Sequence, residues 1–271
     1  MRYTYLMLQF GSPLDHLKKD LRLDLLDLIY QSGSGHIGGS LSSLDILISL
    51  YHSNIFDFNQ DHFVLSAGHL ACGLYAVLAS KNYFPKKLLS TYTSFGSPLQ
   101  GHIYAGVPGV EYSSGSLGQG LSFAAGIALG DPKHTTICLT SDGEHQEGQI
   151  WEAAMFANKY KLGNLINIID CNGLQIDGTT DQIMPLKNLA AKYIQFGWTV
   201  TSVDGHNISQ LTKVLRSNIS DLRSNNSFPV CIIAKTTLGK GISFMENNFQ
   251  YHDIKALDQN LYLKAKDELH R

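Results

Sequence analysis

In this 271-residue chain two short apolar runs each lead into an oxygen-bearing residue next to glycine, Asp142-Gly143 and Asn172-Gly173, thirty positions apart. A carboxylate and an amide carbonyl are hard ligands that suit Mg2+ or Ca2+. Mg2+ takes few protein oxygens and completes its octahedron with water and phosphate. Gly143 lets backbone come close to such a phosphate. Four histidines, His36, His69, His102 and His252, stand in turns or loops. Imidazole titrates near neutral pH, passes protons and binds oxyanions. Taken singly, each of these features is ordinary: Asp-Gly usually marks a tight turn, and a loop histidine is usually a surface residue. Together they would suit a polyhydroxylated, phosphorylated substrate.

The elements that must position these residues are legible in outline. Ile137 to Thr140 and Leu165 to Ile169 are short apolar runs, and Ile150 to Leu162 between them favours helix. Strand, helix, strand reads as a right-handed βαβ unit. Ligands of such sheets bind beyond the carboxyl ends of the strands, which brings Asp142 and Asn172 to one crevice. Upstream, Ser12-Pro13-Leu14-Asp15 reads as a helix start, followed by leucines at helical spacing to Leu28. Ser32 to Gly39 reads as a flexible turn, and a helix is expected from about Ser42 to Tyr51. Phe63–Ser66 reads as a strand, Leu70 to Ala79 as a helix, and about Ser90 to Ser116 as a long loop of the kind that is usually functional. Leu121 to Leu129 is a small-residue helix. Trp198–Val203 and Val230–Ala234 read as strands, with a helix from Ser209 to Leu222 between them. Asp253 is the expected N-cap of a C-terminal helix through Ile254, Leu257, Leu261, Ala265 and Leu269. The fold class is α/β, a parallel sheet with helices on both faces, and residues 1–271 are expected to form one domain.

Hydrophobic content of 44% and a charged fraction of 16% fit a soluble globular protein, and a net charge of -2 gives no reason to expect nucleic acid. The four cysteines, Cys72, Cys138, Cys171 and Cys231, are scattered without metal-ligand spacing, which points to a reducing, cytoplasmic setting. Met1 to Phe10 lacks a cleavage-site pattern, and no apolar run reaches membrane-spanning length.

The segment from Asp142-Gly143 through Glu147-Gly148 to Asn172-Gly173 resembles the thiamin diphosphate motif. Ser-Asp-Gly-Glu-His-Gln-Glu-Gly-Gln-Ile-Trp-Glu-Ala-Ala and Asp-Cys-Asn-Gly-Leu-Gln-Ile-Asp-Gly are similar to the N-terminal portion of the transketolase family. The resemblance runs from about Leu14 to His252. It implies a diphosphate-binding domain in which Asp142, Asn172 and the Leu174 carbonyl hold the metal. His69, His252, Gly115, Leu117, Gly143 and Ile176 would meet the cofactor, and His36 and His102 would face the sugar. Glu147 and Glu152 match acidic residues of the family's dimer interface and are candidates for a proton link between two active sites. For both, the alternative is an ordinary helix N-terminal acid. Two departures stand out: Ser141 where the motif usually has Gly, and Ser116 where full-length relatives commonly have Pro.

Full transketolases carry a second domain that binds the aminopyrimidine and supplies its activating glutamate. Nothing past His252 could hold it, so the resemblance implies a separate pyrimidine-binding (C-terminal) subunit, in an α2β2 assembly that transfers a two-carbon ketol unit from a ketose to an aldose. Two alternatives stay open. One is the alpha-type subunit of another thiamin diphosphate enzyme, acting on 2-oxoacids or in specialised sugar or secondary-metabolite synthesis. The other is a non-catalytic subunit that kept the fold.

Overall fold

The computed structural model describes residues 13–222, 228–254 and 256–270. Helix α1 (Pro13–Ser32) carries the leucine stripe into the core, with Leu21, Leu25 and Leu28 buried. Ser12, read as its N-cap, lies outside the described residues. Helix α2 (Ile37–Tyr51) is buried along its whole length, as its apolar and small residues require. It begins five residues earlier than expected. Gly38 and Gly39 are helical rather than part of a flexible turn, because they sit where side chains cannot: a Cβ on Gly38 would lie 2.6 Å from the Tyr251 carbonyl oxygen, and one on Gly39 2.6 Å from Leu70. Close approach outweighs the low helix propensity of glycine.

Strand β1 (His62–Leu65) leads through a three-ten turn, Gly68–Leu70, into α3 (Ala71–Ser80). Residues 92–118 contain no helix or strand, as expected of the long loop. Then follow α4 (Gln119–Gly130), β2 (Thr136–Ser141), α5 (Gly148–Lys159) and β3 (Leu165–Cys171), the anticipated βαβ unit. A small hairpin of β4 (Leu174–Gln175) and β5 (Gly178–Thr179), with α6 (Thr180–Ile183) and α7 (Leu189–Gln195), comes next. These short elements have no periodic trace in the sequence. The chain continues through β6 (Thr199–Asp204), α8 (Ile208–Leu222), β7 (Val230–Lys235) and α9 (Gln259–His270). Asp253 does not cap α9. That role falls to Asp258, whose Oδ1 accepts from the backbone N–H groups of Asn260 and Leu261. Ile254 instead pairs with Gly35 in an isolated antiparallel bridge.

The five long strands form one parallel sheet in the order β1-β2-β3-β7-β6. Alternation sorts their side chains to two cores. Phe63, Leu65, Ile137, Leu139, Ile166 and Ile168 join α1, α2, α3, α8 and α9 on one face. Val64, Cys138, Leu165, Ile169, Cys231 and Ile233 join α4, α5 and α7 on the other. All four cysteines are free, and all but Cys171 are buried. Among the described residues no helix is long and apolar enough to cross a membrane.

Candidate functional site

In the sheet Ser141 pairs with Asp170, so β2 and β3 end side by side. Asp142 and Asn172 follow directly. Both Asp142 oxygens accept backbone N–H groups, Oδ1 from Gly143 at 2.8 Å and Oδ2 from Gly173 at 2.6 Å. One carboxylate thus ties the two glycine turns together. The Asn172 Oδ1 accepts from the Leu174 N–H at 2.9 Å, and its amide nitrogen donates to Asp170 Oδ2 at 3.2 Å and Ser42 Oγ at 3.3 Å. Asp170 also accepts from Ser42 Oγ at 2.7 Å and from Thr236 Oγ1. Burial raises the Asp142 carboxyl to about 7, and the charge of Asp170 adds to the rise. Burial also raises Asp170 and Glu144. None of the three makes an ion pair among the described residues.

A cavity of about 320 Å3 opens over these strand ends. Asn172, Leu174, Ile176, Gly143, Glu147, Gly115 and Leu117 line it, together with His36, His69, His102 and His252. Asp142 lies just beneath the lining. The four imidazoles form one cluster: the His36 ring centre is 5.2 Å from that of His69 and 5.8 Å from those of His102 and His252, and His69 is 5.5 Å from His252. His36 and His252 arrive together because the Gly35–Ile254 bridge joins their backbones, with both N–H···O distances at 3.0 Å. Burial lowers all three affected rings: His36, His69 far below its ordinary value, and His252 to about 4. Neighbouring histidines push in the same direction. At neutral pH these rings are uncharged, each offering one donor and one acceptor. The Nδ1 of His252 is buried and has no hydrogen-bond partner.

Glu147 is the N-cap residue of α5, exposed and making no capping bond, and it faces the cavity. Glu152 lies elsewhere, in a second hollow of about 270 Å3 with Ala125 and Phe156 between α4 and α5. Gly118 adopts φ 83°, and a Cβ there would lie 2.8 Å from the Cβ of Glu147, so this turn requires glycine. A larger, more open groove of about 1200 Å3 lies between α1 and α8. It contains none of the imidazole cluster, so the candidate site is the smaller cavity. Two buried acids of the site, Glu144 and Asp170, were not singled out from sequence. Asp170 follows the run Leu165 to Ile169 and stands two residues before Asn172, a usable signal; Glu144 binds mainly backbone, which leaves none.

The donor chemistry fits a metal-held diphosphate. A buried carboxylate with no cationic partner and an amide oxygen stand on the two glycine turns that the carboxylate ties together, with Leu174 two residues past the amide. A Cβ on Gly143 would touch only Gln175, at 3.4 Å or more. No group of three or more His, Cys, Asp or Glu arranged for a metal occurs among the described residues. Fold and site together define a parallel α/β protein with a polar crevice at the strand ends, acidic below and lined with imidazoles. A family profile described as "Transketolase, thiamine diphosphate binding domain" matches residues 15–268. The chain is 38% identical over 242 residues to an apulose-4-phosphate transketolase subunit of Phocaeicola vulgatus, covering 85% of each chain. It is 39% identical over 270 residues to the 6-deoxy-6-sulfo-D-fructose transketolase subunit SqwG of Clostridium sp., covering 95% of this chain and 96% of the relative. The crystal structure of transketolase from Campylobacter jejuni superimposes with a TM-score of 0.83 at 28% identity, over 96% of this chain and 43% of that one. The chain belongs to the transketolase family, and its similarity covers the thiamine diphosphate binding domain.

Proposed function

We propose that this chain is the diphosphate-binding subunit of a split, cytoplasmic transketolase, which holds thiamin diphosphate through Mg2+ and acts with a separate pyrimidine-binding subunit in an α2β2 assembly. Asp142, Asn172 and the Leu174 carbonyl would hold the metal. His69 and His252 would donate to the diphosphate, and Gly115, Leu117, Gly143 and Ile176 would pack around the cofactor. His36 and His102 would orient the sugar hydroxyls and move a proton at the oxygens of the reacting carbons. When bound, the cofactor supplies the carbon nucleophile and the electron sink for cleaving and forming carbon-carbon bonds. The uncharged His36 imidazole suits this role because it can accept one proton and donate another without a buried charge at rest. Glu147, free of any capping bond at the cavity rim, would carry a proton toward the partner. Phe123, Met155 and Phe156 expose apolar surface on α4 and α5 beside Glu152, as a subunit contact would need.

The observation that carries the reading is the convergence of four imidazoles over the paired ends of β2 and β3. Both similar subunits are named for ketoses bearing a phosphate or sulfonate, so the donor proposed here is an anionic ketose. The test is reconstitution. The purified chain with thiamin diphosphate and Mg2+ should give no ketol transfer alone, and turnover should appear on adding the pyrimidine-binding subunit. Robust turnover by the lone chain would refute the split site. No metal-dependent cofactor uptake in either state would make it a decayed subunit.

A further inference from the structure

Glu144 is fully buried, yet no cationic side chain pairs with it among the described residues. Its carboxylate accepts three hydrogen bonds from three separate parts of the chain. Oε1 takes the Ser66 hydroxyl at 2.6 Å and the Gly118 N–H at 2.8 Å; Oε2 takes the Ser141 N–H at 2.9 Å. Ser66 directly follows β1 and leads into the turn that carries His69. Gly118 is the N-cap residue of α4, with no side chain of its own to cap the helix, and closes the segment with Gly115 and Leu117. Ser141 ends β2 and immediately precedes Asp142. The first two approach so closely that a Cβ on Gly120 would lie 2.5 Å from Ser66.

We infer that Glu144 is a positioning residue: a clasp that holds the His69 turn, the 115–118 segment and the Asp142 turn in the arrangement that receives the cofactor's diphosphate. This rests on the proposed reading of the site. A carboxylate suits the task because it is acceptor-only and can take all three donors at once. Its charge also lies at the N-terminus of α4, which favours an anion. A glutamine has one acceptor oxygen, and its amide nitrogen would face either the Ser141 N–H or the Gly118 N–H. One buried donor would then have no partner, and the segment that bears it would shift.

The test is Glu144→Gln in the complex with its pyrimidine-binding subunit. The apparent KM for thiamin diphosphate at fixed Mg2+ should rise at least tenfold, and kcat at saturating cofactor should stay within threefold of wild type. A role in folding alone would lower the melting temperature of the unliganded chain and leave that KM unchanged. Ser66→Ala removes one donor and leaves the carboxylate in place; it should raise the KM three- to fivefold, and it decides the matter if the glutamine variant does not fold. KM values within twofold of wild type in the variants that fold overturn the clasp. Failure of the wild-type complex to take up cofactor is a different result, because it removes the reading of the site itself.

Discussion

Two buried acidic centres adjoin α2, one at Asp45 and the other reached by Ser42, which donates to Asp170, and burial has different consequences in each. Asp45, fully buried on α2, accepts from Arg22 at 2.8 Å and His206 Nδ1 at 2.9 Å, with the Lys18 ammonium at 3.6 Å. His206 in turn accepts the Thr237 N–H at 2.9 Å. Burial alone would raise the Asp45 carboxyl, but the His206 hydrogen bond and the charges of Arg22 and Lys18 outweigh it and hold it below its ordinary value. Asp142, Glu144 and Asp170 are as deeply buried, have only neutral donors, and are all raised. The first centre is satisfied by the chain's own cations and works as scaffold. The second has an uncompensated demand for positive charge, which is what a site for a divalent ion requires.

The sharpest way to break this contrast is Asp45→Ala, which strands Arg22 in a buried position. Removing one partner of a buried pair costs about 3–5 kcal/mol, and urea unfolding of the unliganded chain should show a loss of that size. Asp142→Asn should behave differently. It removes a buried unpaired charge but leaves the Gly143 or the Gly173 N–H facing an amide nitrogen, so its urea midpoint at pH 8 should fall less than that of Asp45→Ala. Its Mg2+-dependent uptake of thiamin diphosphate, measured by calorimetry, should fall about 100-fold or more, since even outer-shell losses reach that range.

A smaller effect separates the two kinds of group by pH. His36, His69 and His252 titrate below the 6.5 of the unfolded chain. The unfolded state therefore binds their protons first, and the stability they contribute, full above pH 6.5, is lost as pH falls toward 4. Asp142 has the reverse sign. Its folded value of about 7 lies above the unfolded 3.8, so its contribution is present at low pH and lost as pH rises through 7. In the proposed site a metal ion would replace that proton. Added Mg2+ and thiamin diphosphate should therefore raise the melting temperature more at pH 8 than at pH 6, and an equal increment at both would count against Asp142 as the ligand.

Much of the fold was legible because its central strands β2, β3 and β7 are short, mostly apolar runs buried on both faces. The βαβ unit and the placing of Asp142 beside Asn172 followed from that pattern and from the handedness of parallel crossovers. The start of α2 did not. Glycine reads locally as a turn, and only the approach of Tyr251 and Leu70 explains Gly38 and Gly39 in a helix. The start of α9 was misread because Ile254 fits a helical spacing that its bridge to Gly35 overrides. At the site, the histidines were visible as loop residues, but their meeting depends on contacts between distant segments. Glu144 was invisible because two of its three partners are backbone N–H groups, which every residue but proline carries.

The Gly35–Ile254 bridge also sets an order of events during synthesis. His36, His69 and His102 leave the ribosome early, whereas His252 follows after most of the sheet has been made. Contacts of such long sequence separation form late, so the wall that carries the fourth imidazole closes only after every strand of the sheet has been made. A chain stalled before Ile254 presents an open, half-walled crevice, and only a finished one can enclose what it captures.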